Sequence, residues 1–240
     1  VTDPLLTLAQ YAALAREADD AAGTFSHGLA LLRRLHTSAR DSAAVFALLA
    51  IGAEKMLKLA IGLTAIEDSG PWPSKHHMQN QLGHRIALLD RTARHNLTRR
   101  HSHGTAPGHM SSTLHTLDND ALLSPMLAAL DSYATGGRFF NLDTLAASPQ
   151  QQPSPAEQWE LVLNDILAND PDTLTKIAAP DTYEQGRQAL NRPIADSLQR
   201  WWQTHQRGWT TGTLGRRAQT WASSLDLFDP TTRKPLTRTA

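Results

Sequence analysis

Residues 43–67 read AAVFALLAIGAEKMLKLAIGLTAIE, and this stretch decides the fold class. Val45, Phe46, Leu48, Leu49, Ile51, Met56, Leu57, Leu59, Ile61, Leu63 and Ile66 are interleaved with alanines, Gly52 and Gly62, so a helix drawn through them is apolar on every face. Such a helix belongs in the middle of a bundle. The unbroken apolar run, Ala43 to Ala53, stops at Glu54, short of the ~20 residues a bilayer span needs, so burial in protein and no membrane is the expectation. The small residues allow neighbouring helices to come close. Glu54 and Lys58 stand i, i+4 with the acid first, a structural or interface pair worth about 0.3–0.5 kcal/mol if exposed.

Working outward toward the N-terminus, Leu5, Leu6, Leu8, Tyr11, Leu14, Ala15 and Ala18 recur at helical spacing. After Gly23 the pattern resumes with Phe25, Leu29, Leu32 and Leu35, which fits one long helix or two shorter ones. Asp41 or Ser42 can cap the central helix. That helix should end near Glu67 to Gly70, before the rigid Pro71-Trp72-Pro73 break. Ser74 then holds the N-cap position of a second helix. On it Leu82, Ile86, Leu89, Ala93 and Leu97 form one apolar stripe, and His84, Leu88, Arg91 and His95 form a neighbouring one. Residues 98–113 read as loop, broken by Gly104, Pro107 and Gly108. A further helix begins at Asp118 or Ser124 and ends at Gly136 and Gly137.

The Pro- and Gln-containing segment 148–155 is the expected linker between a helical bundle over residues 1–147 and a helical region over 156–240. The latter carries five of the six tryptophans. Ser154 and Glu157 form a capping box, and Asp181 and Glu184 repeat the arrangement. Helices are expected from Pro155 to Ala168, from Thr182 to about Arg207 with a break or kink at Pro193, and from Thr213 to Leu227. Tryptophans on amphipathic helices are ordinarily core, although exposed ones stack on nucleotides.

At 240 residues the chain can bury a sizeable core, and its formal net charge of zero gives no global pull toward nucleic acid or membrane. The absence of cysteine excludes disulfides, thiolate metal sites and Cys nucleophiles, and fits a reducing, cytoplasmic home. Val1 to Gln10 has no basic region before an apolar block, so no secretory signal is expected there. Between Pro71 and Leu117 six Lys or Arg and eight His face one acid, Asp90. A basic patch of this kind can follow a phosphate backbone or an acidic partner.

Ala53-Glu54-Lys55-Met56-Leu57-Lys58 resembles the A-x-E-x-x-L-K core of HEPN domains, small helical bundles that include AbiV-type phage-defence proteins. Gly83-His84-Arg85-Ile86-Ala87-Leu88-Leu89 resembles the G-H-x-L-x-x-L segment of their next long helix. The resemblance covers roughly residues 5–145. It implies an all-α, HEPN-like bundle, here with a Trp-rich C-terminal helical extension. It further implies RNA-directed activity in a toxin-antitoxin or phage-defence setting, a homodimer, an antitoxin or defence partner protein, and no cofactor or metal.

Many members of that family are metal-independent endoribonucleases. Their signature is an Arg, a polar residue after it, and a His with four to six residues between it and the Arg. Arg94 and His101, with His95 after the arginine, fit that form. His101 would deprotonate the ribose 2′-hydroxyl for attack on the adjacent phosphate, and Arg94 would neutralise the phosphorane-like transition state. His84, Arg91, His95, Arg99 and Arg100 are the accompanying substrate-binding residues. His101 departs from the family pattern by falling in the Gly/Pro segment rather than in a helix. Arg200 and His205 make a poorer second match, with Trp201 in the polar position. Two other classes compete with this reading. One is a non-catalytic helical dimer or partner-binding module, and the other is a metal site from His101, His103, His109 and His115, which have neither regular ligand spacing nor an HExxH.

Overall fold

A computed structural model describes residues 6–36 and 38–237, with backbone alone for 38–40. Its helices are α1 (Leu8–Arg33), α2 (Ser38–Glu67), α3 (Ile86–Arg100), α4 (Pro107–Asp118), α5 (Leu123–Thr135), α6 (Phe140–Leu145), α7 (Pro155–Asn169), α8 (Pro171–Ala178), α9 (Tyr183–Thr210) and α10 (Arg216–Thr220). Among the described residues extended pairing is limited to one isolated bridge, Phe228 with Pro235, so the chain is all-α. No described helix is long and apolar enough to cross a membrane.

Thr7 opens α1 with a capping box, its side chain accepting from the Gln10 N–H while the Gln10 side chain accepts from the Thr7 N–H. The helix runs through Gly23 without a break. It packs along α2 because the small residues allow it. A Cβ on Gly52 would stand 2.8 Å from the Phe25 Cβ and 2.9 Å from the Ala21 carbonyl oxygen. A Cβ on Gly28 would stand 2.9 Å from Leu49. Helix α2 ends where Ser69 turns left-handed, at φ +66°.

The expected second helix is divided. Ser74 does cap, its Oγ accepting from His77 N–H at 3.2 Å, but what it starts is a short π-turn, His77–Gln81. Gly83 then takes φ +60°, a conformation that ends the turn, and α3 begins afresh at Ile86. The apolar stripe holds across the interruption, since Leu82, Ile86, Leu89, Ala93 and Leu97 are all buried. Most of the expected 98–113 loop is helical. Arg100 completes α3, His101–His103 forms a 3-10 turn, and Pro107 starts α4 from its first turn, where a missing N–H costs nothing.

Downstream, the Ser154 and Glu157 capping box is formed and starts α7. The second box is not. Residues 180–182 make a 3-10 turn, Thr182 precedes α9 without a side-chain cap, and Asp170 instead caps α8 by accepting from Thr173 N–H at 3.1 Å. The stretch expected as a helix from Thr213 to Leu227 contains only α10 and a 3-10 turn over residues 222–225. Helix α9 continues through Pro193. It touches α1, α3, α4, α5, α7, α8 and α10, and its Trp201, Trp202 and Trp209 are fully buried. These tryptophans and Trp159 of α7 are therefore core. Phe25 of α1 stacks on Trp202 with ring centres 4.5 Å apart. One hydrophobic cluster runs from Leu14 to Leu227 and draws on both sides of the 148–155 stretch.

Candidate anion-binding cleft

Helix α3 buries Ile86, Leu89, Ala93 and Leu97, so its adjacent stripe faces sideways, toward α4 and α5. There Asp90, Arg91, Arg94, His95 and Thr98 form one wall of a cleft of about 590 Å³. The other walls come from Leu114, Leu117 and Asp118 of α4, from Asp120, and from Leu123, Ser124 and Leu127 of α5.

Arg94 is the polar hub of that wall. Its Nη2 donates to Asp118 Oδ1 at 2.7 Å, and its Nε stands 3.6 Å from Asp90 Oδ2, one turn back along the helix. Asp90 lies at the base of the cleft and is held from behind by α9. It accepts from the Trp201 indole N–H at 2.7 Å and from His205 Nε2 at 3.1 Å. His205 is completely buried, with its ring edge-on to Trp201 and its Nδ1 without a hydrogen-bond partner among the described residues. Facing a carboxylate, Nε2 is the donor nitrogen of that ring. Burial opposes ionisation of Asp90. The His205 hydrogen bond and charge, the Trp201 N–H and Arg94 together outweigh it, and the carboxyl is held below the usual range. A second link from α9 joins Arg200 Nη2 to Asp120 Oδ2 at 2.9 Å. The cleft acids are thus matched by Arg94, Arg200 and His205. Arg91 and His95, both exposed, make no hydrogen bond or ion pair among the described residues.

No protein-family model matches the chain, and neither a curated protein nor a solved structure does. Function must therefore be argued from the geometry alone.

The other expected site residues fall elsewhere. His101 opens the 3-10 turn after α3, and its Nδ1 lies 2.7 Å from the Thr98 carbonyl oxygen, which makes Nδ1 the donor and leaves the lone pair on Nε2. Arg94 and His101 are seven positions apart, about 10 Å at the helical rise, and His101 lies just beyond the end of α3. The Arg94 guanidinium reaches back toward Asp90 rather than forward, and His101 is not part of the cleft wall. Arg99 and Arg100 both bind Asp68 past the end of α2, Arg100 at 2.6 Å. Buried Arg100 also donates from Nε to the Thr213 carbonyl at 3.1 Å, a contact that ties α3 to the segment after α9. The Arg99 hydrogen bond, opposed by burial and joined by the charges of both arginines, holds the Asp68 carboxyl below its ordinary value. His84 lies in the turn before α3, where its Nδ1 stands 2.9 Å from Glu54, and Lys58 donates to the same Glu54 at 2.7 Å. His101, His103, His109 and His115 do not converge, since no described group of three or more His, Asp or Glu side chains could hold a metal ion.

Asp90 was the member of the site hardest to read from the sequence. Its signal was its isolation, as the one acid among fourteen basic and histidine residues between Pro71 and Leu117, on a position beside a buried stripe. A carboxylate so placed needs donors, and two came from α9.

Proposed function

We propose that the chain is an RNA-directed, HEPN-like helical protein whose α3–α4–α5 cleft receives the phosphodiester backbone. The observation that carries this reading is the guanidinium of Arg91 and the imidazole of His95, both without a partner among the described residues, beside Arg94 in one cleft whose volume suits a small ligand. A phosphate oxygen entering there meets the two-pronged guanidinium of Arg91 and an imidazole N–H of His95. It then competes with Asp118 for Arg94. The Asp118 side chain is 61% exposed, so that ion pair is worth only about 0–1 kcal/mol and yields readily. Asp90 stays in place beneath, fixed by Trp201 and His205, and keeps the stem of Arg94 oriented.

In the catalytic form of this reading, the His101 Nε2 lone pair takes the ribose 2′-hydroxyl proton. The 2′-oxygen bonds to phosphorus, the phosphorus bond to the 5′-oxygen breaks with its electron pair passing to that oxygen, which takes a proton from water, and Arg94 neutralises the charge that gathers on the phosphoryl oxygens. This step requires Arg94 to leave Asp118 and turn toward His101. The neutralisation of Arg94 by Asp118 and Asp90 favours a second form, in which the cleft binds RNA or an acidic partner and cuts nothing.

Two measurements separate these forms. Binding of a single-stranded RNA is titrated at several salt concentrations for the wild type and for Arg91→Ala with His95→Ala, beside a cleavage assay in EDTA for wild type and His101→Ala. Binding weakened tenfold or more in the double variant, with a shallower salt dependence, supports the cleft. Cleavage lost in His101→Ala supports the catalytic form, and intact binding without cleavage supports the second. Equal RNA binding by wild type and double variant overturns the reading.

A further inference from the structure

Gln188, Arg192, Asp196 and Gln199 recur at helical spacing on α9, so they share one stripe of that helix. The stripe meets the end of α1, where Arg33 is the last helical residue and Arg34 the cap. A cavity of about 560 Å³ lies between them, and Leu236 and Thr237 of the C-terminal segment close its third side. That volume suits a small molecule. Apart from Leu236 every lining side chain is polar or charged, and none is aromatic.

Arg33 is held in position before any ligand arrives. Its Nη2 donates to Gln199 Oε1 at 2.7 Å, and buried Gln199 is itself anchored by donating from Nε2 to the Thr237 carbonyl oxygen at 2.7 Å. The Arg33 Nε and Nη1 make no hydrogen bond among the described residues. Asp196 is the one acid in the lining, and two arginines share it loosely. Arg33 Nη2 stands 3.3 Å from its Oδ1 and Arg192 Nε 3.5 Å from its Oδ2, both longer than the ~2.7–2.9 Å of a tight charged pair. Arg192 precedes the acid by four residues, the weaker order on a helix, and its side chain is 81% exposed. Both of its Nη groups remain available. Arg34 touches the Thr231 hydroxyl at 3.3 Å. Asp229 draws Arg34 from a smaller adjoining cavity, but its Oδ1 already accepts from the N–H groups of Thr231 and Thr232. Three guanidinium groups therefore surround one carboxylate in this lining.

We propose that this cavity binds a small phosphorylated sugar or polyol. The phosphate lies among Arg33, Arg34 and Arg192, whose planar forks match its oxygens. The ligand's hydroxyls donate to Asp196 and to the amide oxygen of Gln188. Asp196 decides between ligand classes, because a di- or tricarboxylate would bring like charge against it whereas a hydroxyl donates to it. The absence of an aromatic ring from the lining leaves a nucleobase nothing to stack on. No lining residue is shared with the α3–α4–α5 cleft, so the site is separate from the one proposed for RNA.

The test is isothermal titration calorimetry of the full chain with glucose 6-phosphate, ribose 5-phosphate and glycerol 3-phosphate, beside inorganic phosphate, glucose and citrate. At least one of the three organic phosphates should bind tenfold or more tightly than phosphate, glucose or citrate. Arg192→Gln, an exposed change, should weaken that ligand tenfold or more. Asp196→Ala should act oppositely on two ligands, strengthening inorganic phosphate while erasing the preference for the organic phosphate over it. Thermal melts check that each variant remains folded. No heat from any of the three at millimolar concentration, no gain over inorganic phosphate, or affinity unchanged in folded Arg192→Gln overturns the proposal. If Arg192→Gln weakens single-stranded RNA rather than the organic phosphates, the face is an RNA track and the proposal falls.

Discussion

The carboxylate of Asp90 accepts from side chains 111 and 115 residues further along the chain, Trp201 and His205. A buried acid with such partners is a stability determinant with a known sign. Because its pKa is lowered in the fold, the unfolded chain takes up the proton first as the pH falls. Its contribution is therefore complete above the ordinary aspartate pKa and is lost as pH drops through the lower folded value, at up to about 1.4 kcal/mol per pH unit for one proton. Asp90→Asn should cost about 1–3 kcal/mol at pH 7 and should show a shallower loss of stability between roughly pH 5 and 3. Urea melts at pH 7, 5, 4 and 3 read both effects, and a loss as steep in the variant as in the wild type would count against the buried carboxylate. Asp68, lowered in the same sense, contributes alike in both proteins. None of this pairing was legible in the sequence, where local spacing shows which residues share a face but not which distant helix arrives behind them.

At the scale of the elements, the helical repeat was legible wherever an apolar stripe was long. The Leu82 to Leu97 stripe proved buried, and so did most of the α2 run, but not on every face as expected, since Ile51 is 47% exposed. What the stripe concealed was the stop at Gly83, because hydrophobic spacing continues across a turn that keeps the same side of the chain inward. Pro107 misled in the opposite direction. A proline reads as a breaker, yet in a first turn it starts a helix, and α4 begins there. The two glycines of the α1–α2 pair make opposite demands. Nothing lies within 4 Å of a Cβ on Gly23, so Gly23→Ala should stabilise by about 0.5–1 kcal/mol through helix propensity. Gly52→Ala places its methyl 2.9 Å from the Ala21 carbonyl oxygen and should destabilise by about 1–3 kcal/mol as the helices are forced apart. Thermal melts of the two variants should move in opposite directions, and an upward shift for Gly52→Ala would refute the close contact.

For the whole molecule, the decisive arrangement is the passage of α9 through a core begun by α1 and α2. The sequence placed α2 at the centre and read residues 156–240 as an extension. The core cluster instead includes Trp201, Trp202 and Trp209 beside Phe25 and Leu49, and Arg100 joins α3 to the Thr213 carbonyl. A single hydrophobic core predicts a single unfolding transition. Denaturation followed by far-ultraviolet and near-ultraviolet circular dichroism should give coincident curves, and a fragment of residues 1–147 should lack a cooperative melt. Two separated transitions, or a fragment that melts cooperatively, would show that the two halves fold apart.

The placement of the tryptophans also gives this protein a native optical signature. Four of the six indoles, Trp159, Trp201, Trp202 and Trp209, are shielded from water, and two of them sit against the Phe25 ring. Emission from the folded chain is therefore weighted to short wavelengths, and the Trp201 indole, edge-on to His205, is open to quenching by that imidazole. The interior thus reports on itself. Any event that admits water between α1 and α9 displaces the emission to the red, with no label attached and no residue replaced.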